Sequence, residues 1–299
     1  MNALTLKQLR YFDALARHQH FGRAAEACAI SQPALSLQIK ELETLFGAVL
    51  VERGARKVRL TAVGEDVLRI ARRVLVGVEE LEDLMRVSQG PLAGRFRLGV
   101  IPTVAPYLLP QTIAALTARF PDIDLELRET VTKSLVQDLL ESRLDAAIVA
   151  LPISEPSLRE FALFEEDFVL VRSEQDKDKP VPSPETLKTM RLLLLEEGHC
   201  FRDQALSFCE MSQAQPRQLM EGSSLSTLVQ MVGAGMGLTL IPEMALPVET
   251  RSAHVSVARF TEPKPSRTIG MVWRKSNPLA DQLMQVGAIV RGVGQGRAA

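Results

Sequence analysis

Cysteine is scarce in this chain: there are three in 299 residues. An odd number that small excludes the disulfide framework of a compact secreted domain, and in a reducing cytosol free thiols are the default. Long apolar runs are missing as well. No stretch approaches the roughly 18 consecutive apolar residues that a membrane helix needs. The opening stretch MNALTLKQLRYFDALARHQHF is interrupted by Lys7, Arg10, Asp13 and Arg17, so it has no signal-peptide core. Net charge is nearly absent too, at -1, and bulk charge therefore names no partner. Histidine is sparse. His199, Cys200 and Cys209 lack the close paired spacing of a zinc site, and His18, His20 and His254 lie elsewhere, so neither a metal nor a cofactor is expected. What remains is an ordinary globular composition, 46% hydrophobic and 24% charged, in a chain long enough for two or more domains. The expectation is a soluble cytoplasmic protein.

The small net charge hides a local imbalance. Residues 1–61 carry nine Lys/Arg against five acids, so this segment is +4 and the remainder -5. A basic module on a mildly acidic body hints at nucleic acid, although a merely solvated face would look the same by charge alone. The local pattern says more. Leu6, Leu9, Phe12 and Leu15 recur at helical spacing, and residues 21–27 read as a short Ala-rich second helix. Ser31 can cap a third helix whose first turn tolerates Pro33. There Leu35, Ile39, Leu42 and Phe46 form an apolar stripe, Gly47 is a C-cap, and the opposite face shows Gln32, Ser36, Lys40 and Glu43, with Gln38 at its margin. Two helices joined by a tight turn, the second polar at its start, is the helix-turn-helix arrangement, with Ser31, Gln32, Pro33, Ser36, Gln38 and Lys40 as candidate DNA contacts. Residues 49–60 read as two strands around Gly54-Ala55, a wing whose Arg53 would face phosphate. Cys28, in the Ala-rich helix, reads as a small core residue.

A long helix follows, over residues 61–89. Val67, Ala71, Val74, Val78, Leu81 and Met85 alternate spacings of four and three, a heptad seam suited to pairing with a second copy; the plainer alternative is a helix packed on its own body. Ser88-Gln89-Gly90-Pro91 closes it as a hinge. Beyond, strands and helices alternate, which argues a parallel sheet of α/β type in two lobes with a cleft between them. The Pro102-Thr103 turn follows the first strand of that body and would face such a cleft. The domains expected are a winged helix-turn-helix head over 1–60, a linker helix over 61–91 and a two-lobed body over 92–299.

GHCFRDQALSFC, residues 198–209, holds the other two cysteines nine positions apart. Packing, a metal site, a catalytic nucleophile and a redox switch are all open readings of these thiols. Thiolate is the reactive form, and a helix start or a neighbouring cation favours it; Cys200 stands beside His199, two before Arg202, at the expected start of a helix. A hydrolase or thiol peroxidase would need His199 to act as the base of its own neighbour, for which it is poorly placed, and would leave the amino-terminal module unexplained.

FGRAAEACAISQPALSLQIKELETLFGAVLVER resembles the head of LysR-type transcriptional regulators. The resemblance continues through RLTAVGEDVL, the linker helix and LGVIPTVAPYLLP into the body, and so covers essentially the whole chain. It implies a winged head, a linker helix, a regulatory domain like a periplasmic binding protein, and a homodimer or homotetramer on promoter DNA, with RNA polymerase as a further partner. GHCFRDQALSFC and IPTVAPYLLP look like the corresponding segments of the family's hydrogen peroxide sensors. By that resemblance Cys200 reacts with peroxide, Cys209 resolves the product as a disulfide, and Thr103, His199, Asp203 and Arg202 surround the peroxide. The nearest rival is a regulator of the same family that answers a small-molecule effector without using its thiols. In the LSTLVQMV stretch this chain has Ser226 and Val229 where the sensors have Glu and Arg, which bears on the polar contacts around the pocket.

The implied pairing meets a geometric obstacle. Nine residues of continuous helix rise about 13.5 Å, whereas a disulfide needs Cα atoms about 4.4–6.8 Å apart. If Cys200 and Cys209 bond, residues 201–208 must unwind or bulge, and Phe201, Leu206 and Phe208 are the packed side chains that would move.

Overall fold

The computed structural model describes residues 4–54, 57–87, 92–208, 220–261 and 264–296. Ala55, the hinge expected at 88–91 and Cys209 lie outside the described residues, as do the side chains of Arg53 and Met85. The chain divides into two compact units, Met1–Leu84 and Met85–Ala299.

The first unit contains α1 (Leu6–His18), α2 (Phe21–Ala27), α3 (Gln32–Phe46), β1 (Val51–Arg53), β2 (Val58–Leu60) and α4 (Ala62–Val87). Its helix starts are written in the sequence. Thr5 and Gln8 form a reciprocal capping box on α1, and Ser31 Oγ accepts from Ala34 N at 3.3 Å at the head of α3. Gly47 ends α3 in the left-handed conformation, at φ 63°. Phe12, Leu15, Ala24, Leu35, Ile39 and Leu42 make the core. Two expectations need correction. Phe46 has the right angular position but is 40% exposed, because the last turn of α3 overruns the core. Cys28 is not inside α2 but caps its C-terminus; it is half-buried at the margin of the core, and burial pushes its thiol pKa up. Glu43 Oε1 accepts from Leu50 N and Val51 N, at 2.8 and 3.2 Å, and so fixes the wing to α3.

The seam expected on α4 splits. Ala71 is buried and Val67 and Leu68 pack against the head core, on the face where Asp13 of α1 holds Arg72 Nε at 2.8 Å. Val74 and Leu81 are exposed as a pairing seam would be, but Val63 and Ile70 take the place expected for Ala71. The exposed row keeps heptad spacing and is rotated from the expected one.

The second unit runs β3 (Gly94–Val100), α5 (Ala105–Arg119), β4 (Ile123–Glu129), α6 (Thr132–Leu140), β5 (Ala146–Leu151), β6 (Leu158–Ser173), α7 (Pro184–Leu187), β7 (Leu192–Leu195), α8 (Cys200–Phe208), β8 (Met220–Gly222), α9 (Leu225–Gly233), β9 (Leu238–Pro242), α10 (Leu246–Glu249), β10 (Val255–Arg259), β11 (Ser266–Arg274) and α11 (Ala280–Gln295). The strands follow the order β4-β3-β5-β11-β6-β9-β7-β8, with β10 also paired to β6. The sheet is mixed, not parallel as the alternation of elements suggested. β3 pairs in parallel with β4 and β5, and β7 with β8 and β9, but β6 and β11 run antiparallel to their neighbours. No helix lies between β5 and β6, and so short a connection cannot make a parallel crossover.

β6 is 16 residues long and serves both lobes: its first part pairs with β11, its last part with β9 and β10. Each lobe has its own core. Phe96, Ile148, Met271, Trp273 and Leu283 belong to the first, and Phe168, Leu193, Phe201, Leu228 and Leu240 to the second. Met244 packs against both. Among the described residues no helix is long and apolar enough to cross a membrane.

Gly64, in the first turn of α4, has no room for a side chain: a Cβ there would collide with the Leu50 carbonyl oxygen. The neighbour is backbone and cannot rotate away. Gly64→Ala should therefore destabilise the head by about 1–3 kcal/mol, seen as a lowered thermal midpoint of the head.

Candidate functional site

Three segments that are distant in sequence meet at one closed crevice between the lobes, with no room for a water molecule. The turn after β3 brings Ile101, Pro102 and Thr103; the start of α6 brings Val131 and Thr132; the start of α8 brings His199, Cys200 and Phe201. Cys200 is a free thiol, half-buried at the first residue of α8. It packs against the core of the first lobe, while the adjacent Phe201 is buried in the core of the second. The thiol therefore sits where the lobes meet.

One wall is built on a buried guanidinium. Arg267 Nε and Nη2 reach Glu166 Oε2 at 2.8 and 2.7 Å, and Nη1 donates to Thr103 Oγ1 at 2.8 Å. Nη2 also donates to the Thr103 carbonyl at 3.1 Å. The guanidinium carbon lies 5.5 Å from the Phe201 ring centroid and 6.0 Å from that of Phe168, and the two rings meet edge to face at 4.8 Å. Because the Thr103 oxygen accepts from Arg267, its own hydroxyl hydrogen is left for another acceptor. Thr132 Oγ1 is buried in the same cavity with no protein partner.

The residues singled out from the sequence separate here. Thr103, His199 and Cys200 come together. Arg202 does not: its Nη1 donates to the Leu195 carbonyl at 2.9 Å and to Glu221 Oε1 at 2.7 Å, so it pins α8 to β7 and β8 instead of lining the cavity. Asp203 lies on the exposed face of α8 and does not line the cavity either. His199 is not the cation that the sequence suggested. Burial lowers its pKa from 6.5, with Glu196 opposing, so the imidazole is neutral at pH 7 and offers a lone pair or an N–H, not a charge. Thr132, Arg267 and Glu166 were missed. None belongs to a local motif, and Glu166 lies 101 residues from the arginine it neutralises.

Thr103 and His199 also border a wider cleft of about 350 Å³. There Tyr107 OH donates to Glu249 Oε1 at 2.6 Å and Ser226 Oγ to Glu249 Oε2 at 2.5 Å. Burial and Glu249 hold the phenol protonated far above its ordinary range. Ser226 thus keeps a polar contact at the cleft, while Val229 is fully buried in the second core.

The candidate DNA-contacting residues cluster on α3. Ser31 is spent partly on the cap, Gln32, Pro33 and Lys40 are exposed, and Ser36 and Gln38 are half-buried. Gln38 Nε2 donates to Glu41 Oε2 at 2.8 Å.

Comparison with known proteins gives a consistent picture. Residues 6–65 match the bacterial regulatory helix-turn-helix protein, lysR family, and residues 89–292 match the LysR substrate binding domain. The chain is 42% identical over 292 residues to a probable hydrogen peroxide-inducible genes activator of Streptomyces viridosporus, covering 96% of this chain and 93% of that one. It is 39% identical over 293 residues to the DNA-binding transcriptional dual regulator OxyR of Escherichia coli, covering 96% and 95%. Among solved structures it resembles full-length OxyR of Pseudomonas aeruginosa carrying a cysteine-to-aspartate substitution, with a TM-score of 0.74 and 36% identity over 97% of this chain and 96% of that one. It also resembles a cysteine-to-serine variant of Corynebacterium glutamicum OxyR with hydrogen peroxide bound, with a TM-score of 0.67 and 34% identity over 99% and 94%.

The lowered pKa of His199 has a stability consequence. The folded state binds its proton less readily than the unfolded chain, so this contribution is complete above about pH 6.5 and is lost as pH falls through that value toward the lower folded pKa. Urea midpoints measured between pH 7.5 and 5.5 should fall less steeply for His199→Gln than for the unaltered protein.

Proposed function

The chain belongs to the LysR family of transcriptional regulators, and on that premise we propose that it is a DNA-binding regulator that senses hydrogen peroxide through Cys200. The observation that carries this reading is the convergence of a free thiol, an imidazole and two threonine hydroxyls, one oriented by Arg267 and one buried without a protein partner, at a closed crevice that shares Thr103 and His199 with the wider 350 Å³ cleft. A peroxide molecule, with two donors and lone pairs on both oxygens, has the chemistry those groups lack, and the crevice must widen to admit it.

The Cys200 thiolate attacks one peroxide oxygen. A carbon-bound sulfur becomes a sulfenic acid, the O–O bond breaks, and the departing hydroxide takes a proton to leave as water. The Cys209 thiol then displaces the sulfenic oxygen as a second water, forming the S–S bond. Two thiols are oxidised by two electrons and one peroxide is reduced to two waters. The Thr103 hydroxyl and His199 handle the leaving oxygen and its proton, a role supported by their lining the crevice beside Cys200. Arg202 and Asp203 act outside the cavity, Arg202 as a clamp on α8.

The second step requires a change of fold. From Cys200 to Phe208 the helix rises about 12 Å, so bonding to Cys209 demands that α8 unwind. Phe201 and Leu206 would leave a packed core, at about 1.5–3 kcal/mol for each apolar side chain exposed. The repacked lobe alters how copies of the chain assemble and present their heads to two DNA half-sites. The exposed row of Val63, Ile70, Val74 and Leu81 suits pairing of two linker helices. A sensor built on free thiols suits the reducing cytoplasm. The wider cleft favours a second reading, regulation by a small effector without thiol chemistry.

Stoichiometric peroxide followed by mass mapping separates the two. Unaltered protein should lose two thiol hydrogens in a Cys200–Cys209 crosslink and shift its DNA footprint. Cys209→Ser should stop at the sulfenic acid, trapped by a dione probe, and Cys200→Ser should do neither. A footprint that still shifts with peroxide in Cys200→Ser would overturn the sensor reading.

A further inference from the structure

The buried stripe of α3 defines which side of the helix faces away from the head. Leu35, Ile39 and Leu42 are fully buried. At about 100° per residue, the opposite ridge is Pro33, Leu37, Lys40 and Thr44, at i, i+4, i+7 and i+11, and all four are exposed. Leu37 is 56% exposed, the most exposed large apolar side chain of this helix. A single exposed leucine on an ordinary surface needs no explanation. This one stands at the crest of the ridge that a helix-turn-helix inserts into the major groove, between Pro33 and a lysine.

The groove floor is a pattern of polar edges with one apolar feature, the C5 methyl of thymine. Leu37 has no donor or acceptor to offer a base. Lys40 on the same ridge supplies charge for the phosphates, and Gln32 and Ser36 supply polar contacts on one flank. We propose that Leu37 is a specificity-determining residue that reads a thymine methyl in each half-site. The inference rests on α3 being the groove-reading helix and is independent of any thiol chemistry. Closing over one methyl adds an apolar contact but no counterion release, so Leu37 contributes base preference without contributing to the salt dependence of binding.

The test uses the full-length protein and a randomised duplex DNA pool. Sites are selected for the unaltered chain and for Leu37→Ala, Ser36→Ala and Lys40→Ala. Each thymine of the selected site is then replaced by deoxyuridine, which lacks only the methyl. The expected result is a loss of about fourfold at one thymine per half-site for the unaltered chain. Leu37→Ala should bind thymine and deoxyuridine equally there, select sites relaxed at that position, and keep the salt slope. If Leu37→Ala keeps the same site and the same deoxyuridine penalty while Ser36→Ala changes the site, the proposal fails and α3 remains the reading helix. If none of the three variants changes the selected site, the assignment of α3 itself fails. If Leu37→Ala changes the sedimentation of the DNA-free protein and not its sites, the leucine belongs to a contact between copies, which also overturns the proposal.

Discussion

A guanidinium cannot be buried without partners, and Arg267 is buried completely. Its needs are met from three directions at once: Glu166 on β6, Thr103 in the turn after β3, and the Phe201 ring in the first turn of α8. Removing Glu166 leaves a buried charge uncompensated, at a cost of about 3–5 kcal/mol, and removing the Thr103 hydroxyl leaves a buried N–H unpaired. The wall of the cavity is therefore over-determined. Glu166 extends the network further, since its second oxygen accepts from Met244 N at 3.0 Å, and Met244 packs on both lobe cores. The lobes and the first turn of α8 are tied to one charge.

That arrangement sets up a contrast between the two ends of α8. Its start is held by the arginine network and by the Arg202 clamp to the Leu195 carbonyl and Glu221. Its end is held by an edge-to-face contact, Phe208 against Phe260 at 5.1 Å, with Phe208 only half-buried. Helix geometry keeps the far end away from Cys200, so on the proposed mechanism the packed reduced fold holds the thiols apart, and oxidation acts by removing that separation. A switch of this kind needs no ligand to remain bound: the covalent bond stores the signal until a thiol reductant exchanges it.

Much of this was legible in the sequence, and what was not has a physical reason. Leu35, Ile39 and Leu42 declare α3 because their spacing follows the helix period, and Ser31, Pro33 and Gly47 mark its ends by their own backbone chemistry. Phe46 misled because periodicity gives an angle around the axis but not where the core stops. Ala71 misled in the same way: the heptad pattern on α4 was real, but Asp13, 59 positions away from Arg72, decides which side turns inward. The alternation of strands and helices implied a parallel sheet, and failed where β6 follows β5 without a helix. At the site, Thr103, His199 and Cys200 were readable from motifs. Thr132, Arg267 and Glu166 were not, because their meaning comes from neighbours that only the folded chain supplies. Arg202 and Asp203, which the resemblance set around the peroxide, do not line the crevice, because Arg202, two positions along the helix from Cys200, turns to another face and Asp203 lies on the exposed side.

On the proposed mechanism α8 is the moving part, and the reduced helix is the state that keeps the thiols apart. Amide hydrogen exchange across residues 200–208, before and after one equivalent of peroxide per chain, reads this directly. Loss of protection over α8, at the same rate as the Cys200–Cys209 bond appears, is the predicted result. A disulfide that forms while α8 keeps its full protection would contradict it.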